Sequence, residues 1–351
     1  MLPSLSKLQL NRDLSKEAST VDDNYDGYRY RKDADSCFTM GIFKKAAPIR
    51  FVIKDGTMSK ATDQSNVDFE HLKDLTFTSI GIGVFKNFKI LETIDLSTCA
   101  SLKSIGKMAF KGCTSLTTVN LSGCKSLTSI GESAFSGCKS LININLFTCA
   151  NLVSIGESAF SGCKSLEDID LSTCANLVSI GTSAFSGCNS LIKINLSTCA
   201  NLVSIGTSAF SGCKKLETID LSKCVKLTII EKEAFYECES LNTIDLSMFK
   251  NLNIIKQSVF YGCKNLESVN LSGCDELTSI GWRVFLNCEK LRRLDLTNCK
   301  KLNKIGEEAF INCNMLNWEN VKMEGCTILN IDKIDKSRKL KYSSNPRTTL
   351  Y

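Results

Sequence analysis

The sequence predicts an α/β repeat solenoid: a right-handed superhelix with a parallel β-sheet on its concave side and short helical or 3₁₀ turns on its convex side. Three observations carry that prediction. Phenylalanine recurs every 25 residues, ten times without a slip, at Phe85, Phe110, Phe135, Phe160, Phe185, Phe210, Phe235, Phe260, Phe285 and Phe310. A period of this size means one supersecondary unit stacked on copies of itself. In the first half of each unit apolar residues alternate with polar ones, as Ile94 and Leu96 do with Thr93, Asp95 and Ser97, which is the period of a strand. Two cysteine columns keep the same step, one from Cys113 to Cys313 and one from Cys99 to Cys299, with Phe249 replacing a member of the second.

The elements follow in chain order. Residues 1–74 do not share the period and are expected to form an N-terminal capping region, partly disordered. Within it Ile49–Ile53 reads as a capping strand before a Lys54–Gly56 turn. Residues 75–330 are the solenoid, with about ten repeats. A half unit starts at Leu75, nine full units run from Leu91 to about Met315, and a degraded one follows from Leu316. Each unit opens with a strand that pairs in parallel with its copy in the next unit. Leu127 and Ile130 then face inward, Gly131 permits a bend that a side chain would hinder, and Ala134 and Phe135 seat the return turn. The phenylalanines should stack as a spine. Residues 331–351, with Lys336, Arg338, Lys339 and Lys341, read as a basic, disordered tail.

Leu91, Ile94, Leu96 and Cys99 fit L-x-x-L-x-L-x-x-N/C, the leucine-rich-repeat pattern. The pairing of L-x-x-[IV]-x-L-S-x-C with S-I-G-x-x-A-F-x-G-C resembles the BspA-type leucine-rich repeats of bacteria and protists, over about residues 75–316. That family's unit is slightly shorter and often carries proline after its strand, where this chain has serine. The resemblance implies a surface or adhesive role, so a BspA-like adhesin or cell-surface antigen is one expectation. The residues themselves point elsewhere. The first 30 residues hold no apolar run of the signal-peptide kind, and no window offers about 18 apolar residues in a row. The expected address is therefore cytoplasmic, with no transmembrane segment.

A cysteine repeated once per unit reads as small, buried packing in the reduced state. There is no C-x-x-C, and His71 is the single histidine, so neither zinc nor any other cofactor is expected. No phosphate-binding loop and no nucleophile elbow is present, and no catalytic residue is assigned. The formal charge of +6 does not call for a nucleic-acid partner.

What remains is binding on the concave face, to a protein or a glycan. The middle column of that face is Asp95, Asn120, Asn145, Asp170, Asn195, Asp220, Asp245, Asn270 and Asp295. It reads first as a self-satisfied ladder in which Asn amides donate to neighbouring carboxylates. Asp220 and Asp245 are its one adjacent carboxylate pair, where a bridging cation is a weaker alternative. A flanking column varies in charge, with Asp168, Lys193 and Arg293, as a recognition surface should. The other flank is mostly serine, and Phe147 breaks it. Phe147, Asp168, Asp170, Lys193, Asn195, Asp220, Asp245, Arg293 and Asp295 are the candidate partner-binding residues. Trp282 also breaks a polar column, and reads as a packing plug against the degraded last unit or as a contact point.

Overall fold

In a computed structural model of the chain, the described residues are 28–32, 37–42, 49–54, 57–59, 77–317, 319 and 321–326. Within 77–317 the chain winds as a solenoid, and each coil contributes two strands rather than one. Nine three-residue strands, Thr93–Asp95 through Arg293–Asp295, lie on one wall. Ten two-residue strands, Ser79–Ile80 through Lys304–Ile305, lie on another. Both run parallel and in register, so that Ile94 faces Val119 and Ile105 faces Ile130 one coil on. The Ser-Ile pair is too short to show an alternating pattern, which is why only the first strand is legible in the sequence.

The two-residue ribbon continues at its N-terminal end into a meander of β1 (Tyr28–Lys32), β2 (Cys37–Ile42), β3 (Ile49–Lys54) and β4 (Thr57–Ser59). Strands β1 to β4 are antiparallel, and β4 pairs in parallel with Ser79–Ile80. A strand thus stands where Ile49–Ile53 predicts one. His71 and residues 331–351, including the tail lysines, lie outside the described residues.

Inside the coils every spine phenylalanine is fully buried. Consecutive rings are stacked, with centroids from 5.0 Å apart at Phe85–Phe110 to 5.6 Å at Phe260–Phe285. Leu, Ile, Ala and Cys columns fill the remaining interior as one continuous core. Aromatic pairs in this arrangement contribute about 0.5–1.5 kcal/mol beyond the area they bury.

The expected helical or 3₁₀ return is corrected. Residues 106–113 form successive hydrogen-bonded turns, not a helix. The amides of Ala109, Lys111 and Cys113 donate three residues back, to Gly106, Met108 and Phe110. Those of Met108, Phe110 and Gly112 donate instead to Glu132, Ala134 and Ser136 of the next coil, at 2.7–2.8 Å. A helix would keep all these donors within its own coil. Here every second donor joins coils, which requires left-handed residues at Met108 (φ 57) and Gly112 (φ 74). The pattern recurs at Ser133 and Gly137, Ser158 and Gly162, and Ser183 and Gly187.

Candidate functional site

The wall of three-residue strands carries all nine candidate residues. Its geometry is set by a local cap. In every one of the nine coils the Oδ1 of the middle-column residue accepts the amide two positions on. Asp95 takes Ser97, Asn145 takes Phe147, Asp170 takes Ser172, Asn195 takes Ser197, Asp220 takes Ser222, Asp245 takes Ser247 and Asp295 takes Thr297, all at 2.9–3.1 Å. Only a side-chain oxygen is needed, and Asn and Asp both supply one. This corrects the ladder expectation: the contact that recurs lies within a coil, and it explains why Asn and Asp alternate freely. The signal is in the sequence as Asx-Leu-Ser/Thr at the end of eight of the nine strands, with Asn145-Leu146-Phe147 the exception. The Ser222 amide and hydroxyl hold the Asp220 carboxyl below its ordinary range. At Asp295 burial opposes the charge, yet bonds from Thr297 and the nearby Lys322 ammonium keep it low.

Phe147 is pinned by the same cap, its amide 3.0 Å from Asn145 Oδ1, and its ring is 61% exposed. It borders a depression of about 420 Å³ lined by Ile142, Asn143, Asn145, Glu167, Asp168 and Asp170. A second depression of about 520 Å³ shares Asp168 and Asp170 and adds Lys193, Asn195, Thr218 and Asp220. Six predicted residues, Phe147, Asp168, Asp170, Lys193, Asn195 and Asp220, therefore form one contiguous patch. Ile142 and Glu167, just ahead of their strands, belong to it and were not among the candidates. Period two does not find them: it would pair Ile142 with buried Ile144, whereas Leu141 is buried and Ile142 exposed.

Within the patch Lys193 Nζ stands 3.5 Å from Asp168 Oδ2, an ion pair longer than a good hydrogen bond. Asp168 Oδ1 is covered from solvent and accepts no hydrogen bond. Strands 143–145 and 168–170 register only through Asn143 and Asp168, the shortest pairing within the six-stranded part of the wall, beside Phe147.

The other candidates stand apart. The wall divides into a six-stranded sheet ending at Thr218–Asp220 and a three-stranded one starting at Thr243–Asp245. Asp245, Arg293 and Asp295 belong to the second. The division falls between the adjacent carboxylates Asp220 and Asp245. It also falls where Phe249, fully buried, fills a column otherwise built of cysteine. The Asp220–Asp245 pair brings no third ligand: among the described residues no group of three or more His, Cys, Asp or Glu converges on a metal site. Trp282 is 37% exposed and stacks under its neighbour, with the Arg283 guanidinium 3.8 Å from the ring centroid.

Behind the wall the thiols serve packing. The seventeen cysteines of the two columns and Cys326 are free, and the two columns are buried. Most donate their S–H across coils, as Cys138 does to Phe110 O at 3.1 Å and Cys124 to Leu96 O at 3.2 Å. Burial pushes the Cys149, Cys188 and Cys199 thiols up to about 12, which removes them from nucleophilic chemistry near neutrality.

Among the described residues no helix is long and apolar enough to cross a membrane. No curated protein matches the sequence. Among solved structures the chain is similar to a leucine-rich repeat protein from Bacteroides ovatus, at 24% identity over 88% of this chain and 93% of that one, with a TM-score of 0.45. It is also similar to the T. pallidum leucine rich repeat protein, at 19% identity over 78% and 89%, TM-score 0.39. A leucine rich cell surface protein from Faecalibacterium prausnitzii matches at 19% over 87% and 95%, TM-score 0.38. The model of the BspA type leucine rich repeat region matches in six copies over residues 78–201 and 178–317. With more than half of its length matched, and with the coils, the spine and the strand wall in place, the chain belongs to the BspA type leucine rich repeat family.

Proposed function

We propose that this protein is a non-catalytic interaction scaffold that binds a protein or glycan partner on the wall of three-residue strands. The observation that carries the reading is Phe147. Its ring stands exposed on a polar wall, held by a rigid cap, at the rim of two joined depressions. An aromatic anchor beside adaptable polar groups is the usual core of a recognition surface. Nothing in its packing requires a ring, since other coils place serine there, as at Ser122 and Ser172.

Phe147→Ser is therefore expected to weaken a partner isolated by pull-down with the full chain about tenfold, about 1.4 kcal/mol. The thermal midpoint should stay within about 2 °C of the parent. Equal losses of affinity and stability would make Phe147 structural and remove the reading. Display as a cell-surface adhesin or antigen is the second reading, supported by family membership. External protease treatment of intact cells, followed by fractionation, separates it from a cytoplasmic scaffold.

A further inference from the structure

We infer that the partner of this wall is an extended polypeptide bearing lysine or arginine, whose cationic side chains enter the two depressions and cross the Phe147 ring. The inference rests on the wall being an interaction surface and adds the chemistry of what it takes. Charge is the first argument. The whole chain is net positive, at +6. The patch reverses that sign: Glu167, Asp168, Asp170 and Asp220 line the depressions against a lone cation, Lys193. An anionic glycan or nucleic acid meets the wrong field there, and a basic chain the right one.

Unspent hydrogen-bonding capacity is the second argument. Asp170 uses one carboxylate oxygen in its cap, leaving the other for a donor. Asp168 Oδ1 accepts no hydrogen bond although covered, and its Oδ2 faces Lys193 only at 3.5 Å. Ammonium and guanidinium groups supply donors and no acceptors, which is what a row of carboxylates can use. Shape is the third argument. The depressions follow one another across four coils, from Asn143 to Asp220, and lie on an exposed sheet. That suits a chain laid across the strands better than an enclosed small molecule. At one end Phe147 offers a ring face, to which a cation is attracted.

The test uses the full chain and a fluorescein-labelled ten-residue peptide of alternating Lys and Ser, with a Glu-for-Lys version as its opposite. Anisotropy at low salt should show micromolar binding of the lysine peptide, weakening severalfold between 50 and 200 mM salt, as solvated charge pairs do. The double variant Asp168→Asn, Asp170→Asn should weaken it at least tenfold. The fold is protected in that variant, because Asn143 and Asn145 fill the same two positions one coil away and Asn145 makes the same cap. Lys193→Ala should tighten binding about threefold, which no purely structural role would do.

Failure to bind the lysine peptide overturns the inference. If the glutamate peptide or a neutral glycan binds instead and is lost in Phe147→Ser, the partner chemistry is wrong and the wall still stands as an interaction surface. Lysine-peptide binding that ignores both the Asn pair and Phe147→Ser overturns inference and surface together. If replacing Lys336, Arg338, Lys339 and Lys341 by serine raises peptide affinity in the parent but not in the Asp168→Asn, Asp170→Asn variant, the chain's own tail occupies the wall and the inference of a separate partner is overturned.

Discussion

Gly131 sets how closely two coils approach. A Cβ there would sit 2.8 Å from the Gly106 carbonyl carbon, the Ile105 oxygen and the Lys107 nitrogen, all backbone atoms that cannot yield. Glycine at 106, 131, 156, 181, 206, 281 and 306 keeps the amide bond to the preceding coil at 2.7–2.9 Å. Where the chain instead carries Glu231 and Lys256, the same bond stretches to 3.2 and 3.4 Å. Those two side chains turn the loss to partial use, with Lys256 Nζ 2.8 Å from both Glu231 oxygens. Gly131→Ala is thus expected to destabilise the array by about 1–3 kcal/mol. A lower urea midpoint at unchanged slope would show it. An unchanged midpoint would mean that the coils can spread at no cost. The glycine column is legible in the sequence as a bend, but its second duty, close approach, is not. That duty depends on where the neighbouring coil's carbonyl lies, and a pattern within one coil carries no such distance. The candidate residues divide the same way. Column membership follows from the period, so Phe147 and Asp168 could be placed on one wall. The absence of a donor at Asp168 Oδ1 could not be foreseen.

At the scale of elements, the parting of the strand wall between Thr218–Asp220 and Thr243–Asp245 coincides with two local features. A phenyl ring at Phe249 needs more room than the thiol it replaces, and Asp220 and Asp245 repel across neighbouring strands. The spine and the two-residue ribbon run through unbroken, with Ser204 facing Ile229 and Ile229 facing Ile254. The coils are therefore pried open on one side only. Phe249→Cys should close the ladder, and amide exchange at Leu221, whose equivalents Leu171 and Leu246 donate to Asn195 and Asn270 one coil on, should slow by an order of magnitude or more. If exchange slows only in Asp245→Asn, repulsion rather than ring size holds the strands apart. The return turns escape the sequence pattern for a related reason. Ala-Phe after a polar pair fits a short helix equally well, and serine is an unexpected tenant of left-handed backbone. What selects turns is the acceptor one coil away. That partner exists only once the array is stacked.

For the molecule as a whole, the interior is unusual in its thiols. Burial holds them protonated: Cys149, Cys188 and Cys199 move from 9.0 to about 12 on folding. A raised value stabilises the fold fully below pH 9, and the contribution is lost as pH climbs from there through about 12, since the unfolded chain ionises first. At pH 10 each such thiol costs the folded state about 1.4 kcal/mol. Cys224, Cys274 and Cys299 share that value, and the six together would remove about 8 kcal/mol, comparable with the entire stability of a typical domain. Cooperative unfolding is therefore expected between about pH 9 and 10, followed by circular dichroism. It should move to higher pH as cysteines are replaced by alanine at central positions. A fold that survives pH 11 would show that the unfolded thiols do not drive the transition.

The three units that span 151–225 share every buried residue: leucine at 152, 177 and 202, phenylalanine at 160, 185 and 210, cysteine at 174, 199 and 224. Threading the chain one unit out of step through this stretch changes no interior neighbour and extrudes 25 residues as a loop. Phe249 lies beyond the copies and keeps the same neighbours in either threading. What opposes the slip is therefore the coil it sacrifices, with one ring of the stack and the hydrogen bonds that joined it to its neighbours.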